Sequence, residues 1–296
     1  TRYMILERED WEEQRCCIAR PEPTYHEEEG VVRIPARKVV EELDEILAAN
    51  DTAKAEAHLK SWLEKARTGK DRSGELTVLN EQMGFYRSVG DREQGMRAVQ
   101  EGLDLLETMD LKDSVTAGTT WINAATTMKA FGEASQAIPL YEKAWRAYSG
   151  RLDPTDYRFA GLSNNMALAY VDVGDCLHAS RYYEKALSII KNLPEGKLEL
   201  AVTYVNMACM YDAWGRISGL KEEEQAPKDW DDRLWNCLEA AMGCLDDPSI
   251  SRDGYYAFTC MKCAATFGYF GQFRRKKDLE DRAEQIYQEN REKEQI

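Results

Sequence analysis

Residues 121–144 read WINAATTMKAFGEASQAIPLYEKA, and residues 163–186 read SNNMALAYVDVGDCLHASRYYEKA. The two stretches begin 42 residues apart. Each contains a glycine at the same place, Gly132 and Gly174, and each ends in Tyr-Glu-Lys-Ala. Similarity at a fixed interval of this length is typical of a protein built from stacked repeats, and a repeat of this kind decides the whole architecture.

Turn residues recur at nearly the same interval through most of the chain. The spacings between successive turns are 40, 42, 42, 41 and 56 residues, so the last interval alone is longer. A Gly or Asn in the left-handed conformation commonly ends a helix, so each turn predicts the end of one helix and the start of another. The turn pairs are Asn50-Asp51, Gly90-Asp91, Gly132-Glu133, Gly174-Asp175, Gly215-Arg216 and Gly271-Gln272.

Small and aromatic residues flank these turns at helical spacing. Before the glycine, an alanine is followed three residues later by a large side chain, as in Ala167 and Tyr170. After it, the order is small–aromatic–small, as in Ala137, Tyr141 and Ala144. Intervals of three and four residues place these side chains on one helical stripe. The pattern predicts pairs of antiparallel helices that bury their stripes by stacking on neighbouring pairs.

The stretch Trp121-x2-Ala124-Ala125-x2-Met128, followed by Ala137-x3-Tyr141, resembles the tetratricopeptide repeat (TPR). The interval of about 42 residues is similar to that of the longer repeats of kinesin light chains. The resemblance implies an all-α fold, a right-handed α-solenoid of about six antiparallel helix pairs. We expect the array to span residues 36–288, with repeats at about 36–69, 76–110, 117–149, 158–192, 199–246 and 255–288.

Several segments depart from the repeat. Residues 1–35, with a predicted helix from Tyr3 to Ile18, are expected to cap the array or pack on it. The fifth repeat carries an insertion at 217–233, which we expect to be a charged, mobile loop. In the sixth repeat Glu280 stands where the fourth has Tyr183, which favours a polar C-terminal cap. Residues 289–296 are expected to form a charged tail.

The charge balance bears on the class of partner. The formal net charge is −14 and the isoelectric point is near 4.9, which argues against nucleic acid or an anionic membrane as a partner. The basic run Arg274–Lys277 is short and is interpreted as a solvated helix start. The sequence shows no secretory core and no membrane-spanning stretch. We therefore expect a cytoplasmic protein whose eight cysteines are free thiols.

Cys260-x2-Cys263 is the most specific signal for metal or redox chemistry. A redox cysteine of this motif lies at a helix start, where the dipole lowers the thiol pKa. Here the preceding residues are expected to belong to the same helix, and Cys263 falls at the core position of Met166 and Met207. The sequence also lacks a nucleophile elbow or a phosphate-binding loop. We predict no enzyme activity, no cofactor and no bound metal; an enzyme or metal protein centred on the CxxC remains a third hypothesis.

Polar residues at first-helix positions are the candidate binding site. An asparagine stands nine residues before the turn in three consecutive repeats, and TPR proteins often use Asn there to hold the backbone of an extended peptide in the concave groove. A carboxamide both donates and accepts hydrogen bonds, which suits a peptide unit. The alternative is that these asparagines serve only the stacking of helices. The candidate groove residues are Asn123, Asn165, Asn206, Asn164, Thr119, Thr126, Lys129, Arg87, Lys262 and Tyr269.

The function favoured by the sequence is a protein-interaction module. It would act as an adaptor or scaffold that binds a peptide segment or partner protein in the groove. The alternative is an intracellular receptor or regulator for a short signalling peptide. The few basic groove residues, Arg87, Lys129 and Lys262, do not favour the clamp for a pair of carboxylates found in chaperone adaptors.

Overall fold

The computed structural model describes residues 30–111, 114–217 and 219–293. Within these ranges the chain consists of α-helices, one short 3₁₀ helix and connecting turns, with no β-strand. The prediction of an all-α fold is confirmed. The chain divides into two compact units, Thr1–Pro154 and Thr155–Ile296. The predicted helix Tyr3 to Ile18 lies outside the described residues.

The first unit contains three antiparallel helix pairs, α1/α2, α3/α4 and α5/α6. Residues 30–35 precede α1, and the backbone N–H of Val32 donates to the carbonyl of Gly69 at 2.8 Å. Neighbouring pairs pack through their first helices, with α3 against α5. The helices are α1 Ala36–Ala48, α2 Thr52–Thr68, α3 Arg72–Val89, α4 Arg92–Thr108, α5 Val115–Ala130 and α6 Ala134–Ser149.

The second unit also contains three pairs, α7/α8, α9/α10 and α11/α12. The first helix α9 packs on α8 and α10 and on the next first helix, α11. The last helix extends to Lys293, so residues 289–293 of the expected tail are helical. The helices are α7 Arg158–Asp172, α8 Cys176–Ile190, α9 Lys197–Arg216, α10 Trp230–Leu245, α11 Gly254–Tyr269 and α12 Phe273–Lys293.

The turns within the pairs have the geometry that the sequence predicts at five positions. The backbone takes positive φ at Asn50 (56°) and at Gly90, Gly132, Gly174 and Gly271 (73–86°). Only a residue without a Cβ, or Asn, adopts this conformation at little cost. At three of these turns the next residue is an aspartate whose carboxylate accepts from a backbone N–H of the following helix. The turn therefore ends one helix and starts the next.

The fifth predicted turn, at Gly215, is wrong. Gly215 is helical, and α9 continues through it to Arg216. A Cβ at this position would lie 2.4 Å from the Trp230 ring, so the glycine provides room for the indole. The positive φ expected at Gly215 occurs instead at Gly219 (81°). Gly215 is needed for close packing, whereas the sequence pattern predicted that it was needed for a turn.

The insertion after α9 is shorter and better packed than predicted. The helix α10 begins at Trp230, inside the range 217–233 that was expected to be a loop. The Trp214 indole N–H donates to the carbonyl of Glu224 at 2.7 Å and ties the 3₁₀ helix Glu222–Glu224 to α9. Leu220 and Ala226 contact the apolar core of the unit. The segment thus has charged side chains on its outer side and apolar side chains on the side that packs against the core.

The core follows the predicted stripes. Ala137, Tyr141 and Ala144 are fully buried, as are their equivalents Ala179, Tyr183 and Ala186. Met166, Met207 and Cys263 occupy one equivalent position and are all buried. The last helix, α12, buries Leu279, Ala283 and Ile286 and leaves most of its other described side chains exposed or half-buried, as a polar cap requires.

Candidate ligand-binding face

Asparagine–threonine bonds connect successive first helices in both units. The Asn80 carboxamide on α3 donates to the Thr120 hydroxyl on α5 at 3.1 Å, and Asn164 on α7 donates to Thr203 on α9 at 3.0 Å. Each asparagine lies ten residues before the turn glycine of its own repeat, Gly90 or Gly174. Each threonine lies twelve residues before the corresponding glycine of the next repeat, Gly132 or Gly215. Asn164, a predicted groove residue, is therefore engaged in the stack. The sequence reasoning missed Asn80, Thr120 and Thr203, although this spacing was visible.

The first unit uses most of its predicted groove side chains internally. Asn123 donates to the Asn80 carboxamide oxygen at 2.7 Å, and Arg87 donates to the Thr127 hydroxyl at 3.2 Å. Thr119 and Thr126 share hydrogen bonds with the Tyr148 and Tyr141 hydroxyls, at 3.1 and 2.9 Å. Thr126 is 2% exposed. These bonds hold the side chains within and between helix pairs. Lys129 is half-buried and has no carboxylate partner among the residues described.

In the second unit α9 presents one stripe to solvent, which we term the open face of α9. It is formed by Glu199, Val202, Asn206, Cys209, Ala213 and Arg216, spaced three and four residues apart. Val202 and Asn206 are half-buried, whereas Cys209 and Arg216 are exposed. Most residues on the other sides of α9 are buried. This spacing shows that a single side of the helix is left uncovered by its neighbours.

The next first helix, α11, borders the open face and is hydrogen-bonded to α9 at both ends. The Tyr255 hydroxyl donates to Glu199 Oε1 at 3.2 Å. Toward the other end, the Tyr269 hydroxyl donates to Asp212 Oδ2 at 3.0 Å. Between them lie half-buried Lys262 and exposed Ala265. The structure thus brings three predicted residues, Asn206, Lys262 and Tyr269, to two neighbouring helices.

At the C-terminal end of the open face, the Asp212 carboxylate binds two neighbouring side chains. Asp212 is 8% exposed and accepts hydrogen bonds from the Tyr269 hydroxyl and from the Arg216 guanidinium. The Arg216 Nε lies 2.9 Å from Asp212 Oδ1. The hydrogen bond to Asp212 raises the pKa of Tyr269. The same carboxylate raises the pKa of Arg216 through a hydrogen bond. Tyr269 thus donates its hydroxyl to Asp212 while 62% of its surface stays exposed.

Two carboxamides of the second unit differ from the rest. Neither the Asn165 nor the Asn206 side chain has a hydrogen-bond partner within the described part of the chain. Asn165 is only 4% exposed. Both residues stand nine before the residue at the turn position, at equivalent places on α7 and α9. The atoms of these two carboxamides are not among the buried polar atoms that lack a partner, so they remain open to water or to a ligand, whereas the Asn164 carboxamide is bonded to Thr203.

The cysteines of the CxxC lie in the core. Cys260 and Cys263 are fully buried on α11, well inside the helix. Burial raises the pKa of the Cys260 thiol to about 11, the opposite of a redox cysteine. Within 30–111, 114–217 and 219–293, no group of three or more His, Cys, Asp or Glu residues could hold a metal ion. The placement supports the interpretation of this pair as packing residues.

Solved structures of known proteins share this fold. NprR in complex with its cognate peptide NprX aligns with a TM-score of 0.54 and 13% identity, over 94% of this chain and 74% of that one. The apo form of the quorum sensor NprR from B. thuringiensis aligns with a TM-score of 0.56 and 13% identity, over 84% of this chain and 63% of that one. A putative kinesin light chain from Podosopora anserina with nearly identical TPR-like repeats gives 0.51 and 14%, over 73% and 96%.

These likenesses establish the class of fold: the chain is a TPR-like α-solenoid of helix pairs. No protein-family model matches the sequence, and no curated protein matches it. Across the described residues, no helix is both long enough and apolar enough to cross a membrane.

Proposed function

We propose that the protein is an interaction module, an adaptor or scaffold, that binds a peptide or an extended segment of a partner protein along the first helices of the second unit, from Asn165 on α7 over the open face of α9 to the adjoining side of α11. The observation that carries this proposal is the Asn206 carboxamide, which is half-buried on that face and has no partner in the described chain. Asn165, at the equivalent place on α7, is 4% exposed as a residue, and its carboxamide also has no partner in the described chain. Two such groups in successive helices are suited to two peptide units of one extended ligand.

The other groups on this face support an extended peptide rather than a small molecule. Cys209, Ala213 and Ala265 are small, so a backbone can approach α9 and α11 closely. The exposed Tyr269 ring offers apolar contact at one end. Lys262 interacts with another group of the protein and places a positive charge midway along the face. A ligand with an apolar side chain near Tyr269 and its backbone over Asn206 fits these features.

The structural likeness to NprR is consistent with this proposal, because NprR has been solved with a bound peptide. It also favours the second candidate function, an intracellular receptor for a short signalling peptide. An intracellular setting fits the six free thiols at positions 176, 209, 237, 244, 260 and 263. Progressive shortening of a bound peptide separates the candidates: a receptor keeps full affinity for a short peptide, whereas an adaptor loses affinity as flanking contacts are removed.

The test uses the full-length chain and a phage-displayed library of random peptides. Peptides selected on the wild type are synthesised, and alkylation of Cys209 by a bulky maleimide is followed by mass spectrometry with and without saturating peptide. Cys209 lies one turn from Asn206 on the same stripe, so a bound peptide should slow its alkylation several-fold. Cys244 on α10 is half-buried and, like Cys209, has a pKa raised by burial, and it serves as the control. A selection that yields no binding peptide, or peptides that leave Cys209 alkylation unchanged, contradicts the proposal.

A further inference from the structure

Exposed aromatic side chains surround the turn between α11 and α12. Trp235, Tyr269 and Phe273 are 38%, 62% and 69% exposed. The Trp235 and Phe270 rings meet edge to face with centroids 6.2 Å apart, and Phe270 meets Tyr269 in the same way at 4.9 Å. We term Trp235, Tyr269, Phe270 and Phe273 the aromatic patch. Large aromatic side chains gathered at the surface are the residues that most often carry the binding energy of protein interfaces.

The repeat architecture does not require an aromatic residue at Phe273. Phe273 is the second residue after the turn glycine Gly271. At the other four turns with positive φ, this position holds Thr52, Arg92, Ala134 and Cys176, two of which are exposed and polar and two of which are small and buried. A phenyl ring left 69% exposed at this place contributes little to the packing of the helix pair. A binding partner that covers the phenyl ring therefore explains its presence better than packing within the repeat does.

Beside the exposed ring lies a guanidinium that has no ion-pair partner among the residues the structure describes. In the run Arg274–Lys277, Arg275 pairs with Glu239 through two bonds of 2.6 and 2.8 Å. Lys276 and Lys277 pair with carboxylates one turn later on α12, at 3.0 and 3.5 Å. Arg274 is exposed and, in the ranges that the structure describes, has no carboxylate partner. It lines a cleft of about 630 Å³ together with Phe273 and Glu239.

We propose that the aromatic patch and Arg274 form a second docking surface, which adjoins the first at Tyr269 and is centred on Phe273, for a partner segment that carries an aliphatic or aromatic side chain next to a carboxylate. The apolar side chain would cover Phe273, and the carboxylate would pair with Arg274, for which a bidentate geometry is available. A nucleic acid fits less well, because Glu239, Glu280 and Asp281 neutralise the other basic side chains of the run, and a phosphate backbone needs clustered free cations.

The test selects random phage-displayed peptides on the full-length Asn165→Ala/Asn206→Ala variant, so that binding at the open face of α9 is weakened. The synthesised peptides are then titrated by calorimetry against this protein and against the same protein carrying Phe273→Ser or Arg274→Glu. We expect an acidic residue next to an apolar one in the selected peptides, and a loss of affinity of about tenfold or more with Phe273→Ser. Arg274→Glu should also weaken binding, and exchanging the peptide carboxylate for lysine should restore affinity to that variant alone.

Both substituted side chains are exposed, so the urea concentration at the midpoint of unfolding should stay close to that of the unsubstituted protein, which urea titration checks. Peptides without an acidic–apolar pair, or peptides whose affinity neither substitution changes, would overturn the proposal. So would sedimentation showing that the unsubstituted protein is a dimer and that Phe273→Ser converts it to a monomer, because the patch would then serve self-association. Failure of this test leaves the Cys209 protection experiment unaffected, since the two surfaces are probed by different residues.

Discussion

The Asn164 carboxamide donates a hydrogen bond of 3.0 Å to the Thr203 hydroxyl, and this bond joins α7 to α9. The Thr203 hydroxyl donates in turn to the carbonyl of Glu199, one turn earlier in its own helix, at 2.8 Å. The same arrangement joins Asn80 to Thr120 in the first unit. Polar residues of the first helices therefore fall into two sets. Residues of one set form hydrogen bonds between stacked helices. Residues of the other set, represented by Asn206, have no partner in the described chain.

The first prediction compares the two sets. Asn164→Ala removes the donor that Thr203 accepts and should lower the free energy of unfolding by about 1–2 kcal/mol. Asn206→Ala removes a carboxamide that no described residue binds and should change it by less than about 0.5 kcal/mol. Urea unfolding followed by circular dichroism measures both. Equal losses from the two substitutions would show that Asn206 also serves stacking.

Two equivalent tyrosines provide a second prediction. Tyr141 shares a hydrogen bond with Thr126, but in the next repeat Leu168 stands at the position of Thr126, and the buried Tyr183 hydroxyl has no partner among the described residues. Tyr141→Phe should therefore cost about 1 kcal/mol of stability. Tyr183→Phe removes an unsatisfied polar group and should leave the protein equally stable or more stable. Thermal melting of the two variants checks this, and a large loss with Tyr183→Phe would point to a bound water at that hydroxyl.

A third prediction concerns Gly215. A Cβ there would lie 2.4 Å from the Trp230 ring, so Gly215→Ala should displace the indole and cost about 1–3 kcal/mol. Gly243, on α10, provides the matched control, because a Cβ at that helical position meets nothing within 4 Å. Gly243→Ala should raise stability by about 0.5–1 kcal/mol through its helix propensity. If Gly215→Ala stabilises the protein as Gly243→Ala does, the close packing of Trp230 on α9 is not real.

The fourth prediction is a loss of stability at alkaline pH. Burial raises the pKa of Cys176, Cys237 and Cys260 to about 11, from an ordinary value near 9. The folded state holds these protons more tightly than the unfolded state does, so the free energy of unfolding should be unaffected below about pH 9 and fall between about pH 9 and 11. Each thiol contributes at most about 3 kcal/mol to this fall, since one pKa unit corresponds to about 1.4 kcal/mol. Urea unfolding at several pH values measures it, and Cys260→Ala should make the fall shallower. An unchanged slope in that variant would contradict the assignment.

The repeat pattern predicted the helix pairs because it reports burial directly. Ala137 and Tyr141 recur at helical spacing since only such residues fill the space between stacked helices. The same pattern misjudged Gly215, because a glycine required by the Trp230 ring looks identical in sequence to one required by a turn. It also grouped Asn164 with Asn165, although adjacent residues on a helix differ in direction by about 100°. The hydrogen bond from Asn164 to Thr203 depends on the register between two helices, which the sequence of one helix does not contain.

Tyr269 was predicted as a site residue, but the exposure of Trp235 and Phe273 was not predicted, for a related reason. Trp235 and Phe273 belong to different helices and approach one region of the surface only through the stacking of α10 with the α11–α12 turn. Periodicity identifies side chains that are buried, whereas exposure of an aromatic residue is an exception to the pattern and becomes visible only in three dimensions. The pairing of Arg275 with Glu239, while Arg274 has no carboxylate partner among the described residues, likewise depends on contacts between helices.

The most direct test of the central claim measures peptide affinity and melting temperature together, for Asn165→Ala/Asn206→Ala and for Asn164→Ala, with one peptide selected on the wild-type protein. If the two carboxamides without a partner in the described chain hold peptide backbone, the double variant should melt close to the wild type and bind the peptide about five- to 100-fold more weakly, at roughly 0.5–1.5 kcal/mol for each lost hydrogen bond. Asn164→Ala should melt earlier and, while folded, keep its affinity. The opposite pattern, early melting of the double variant with unchanged affinity, would show that all three asparagines serve stacking and that the open face of α9 is not the binding site.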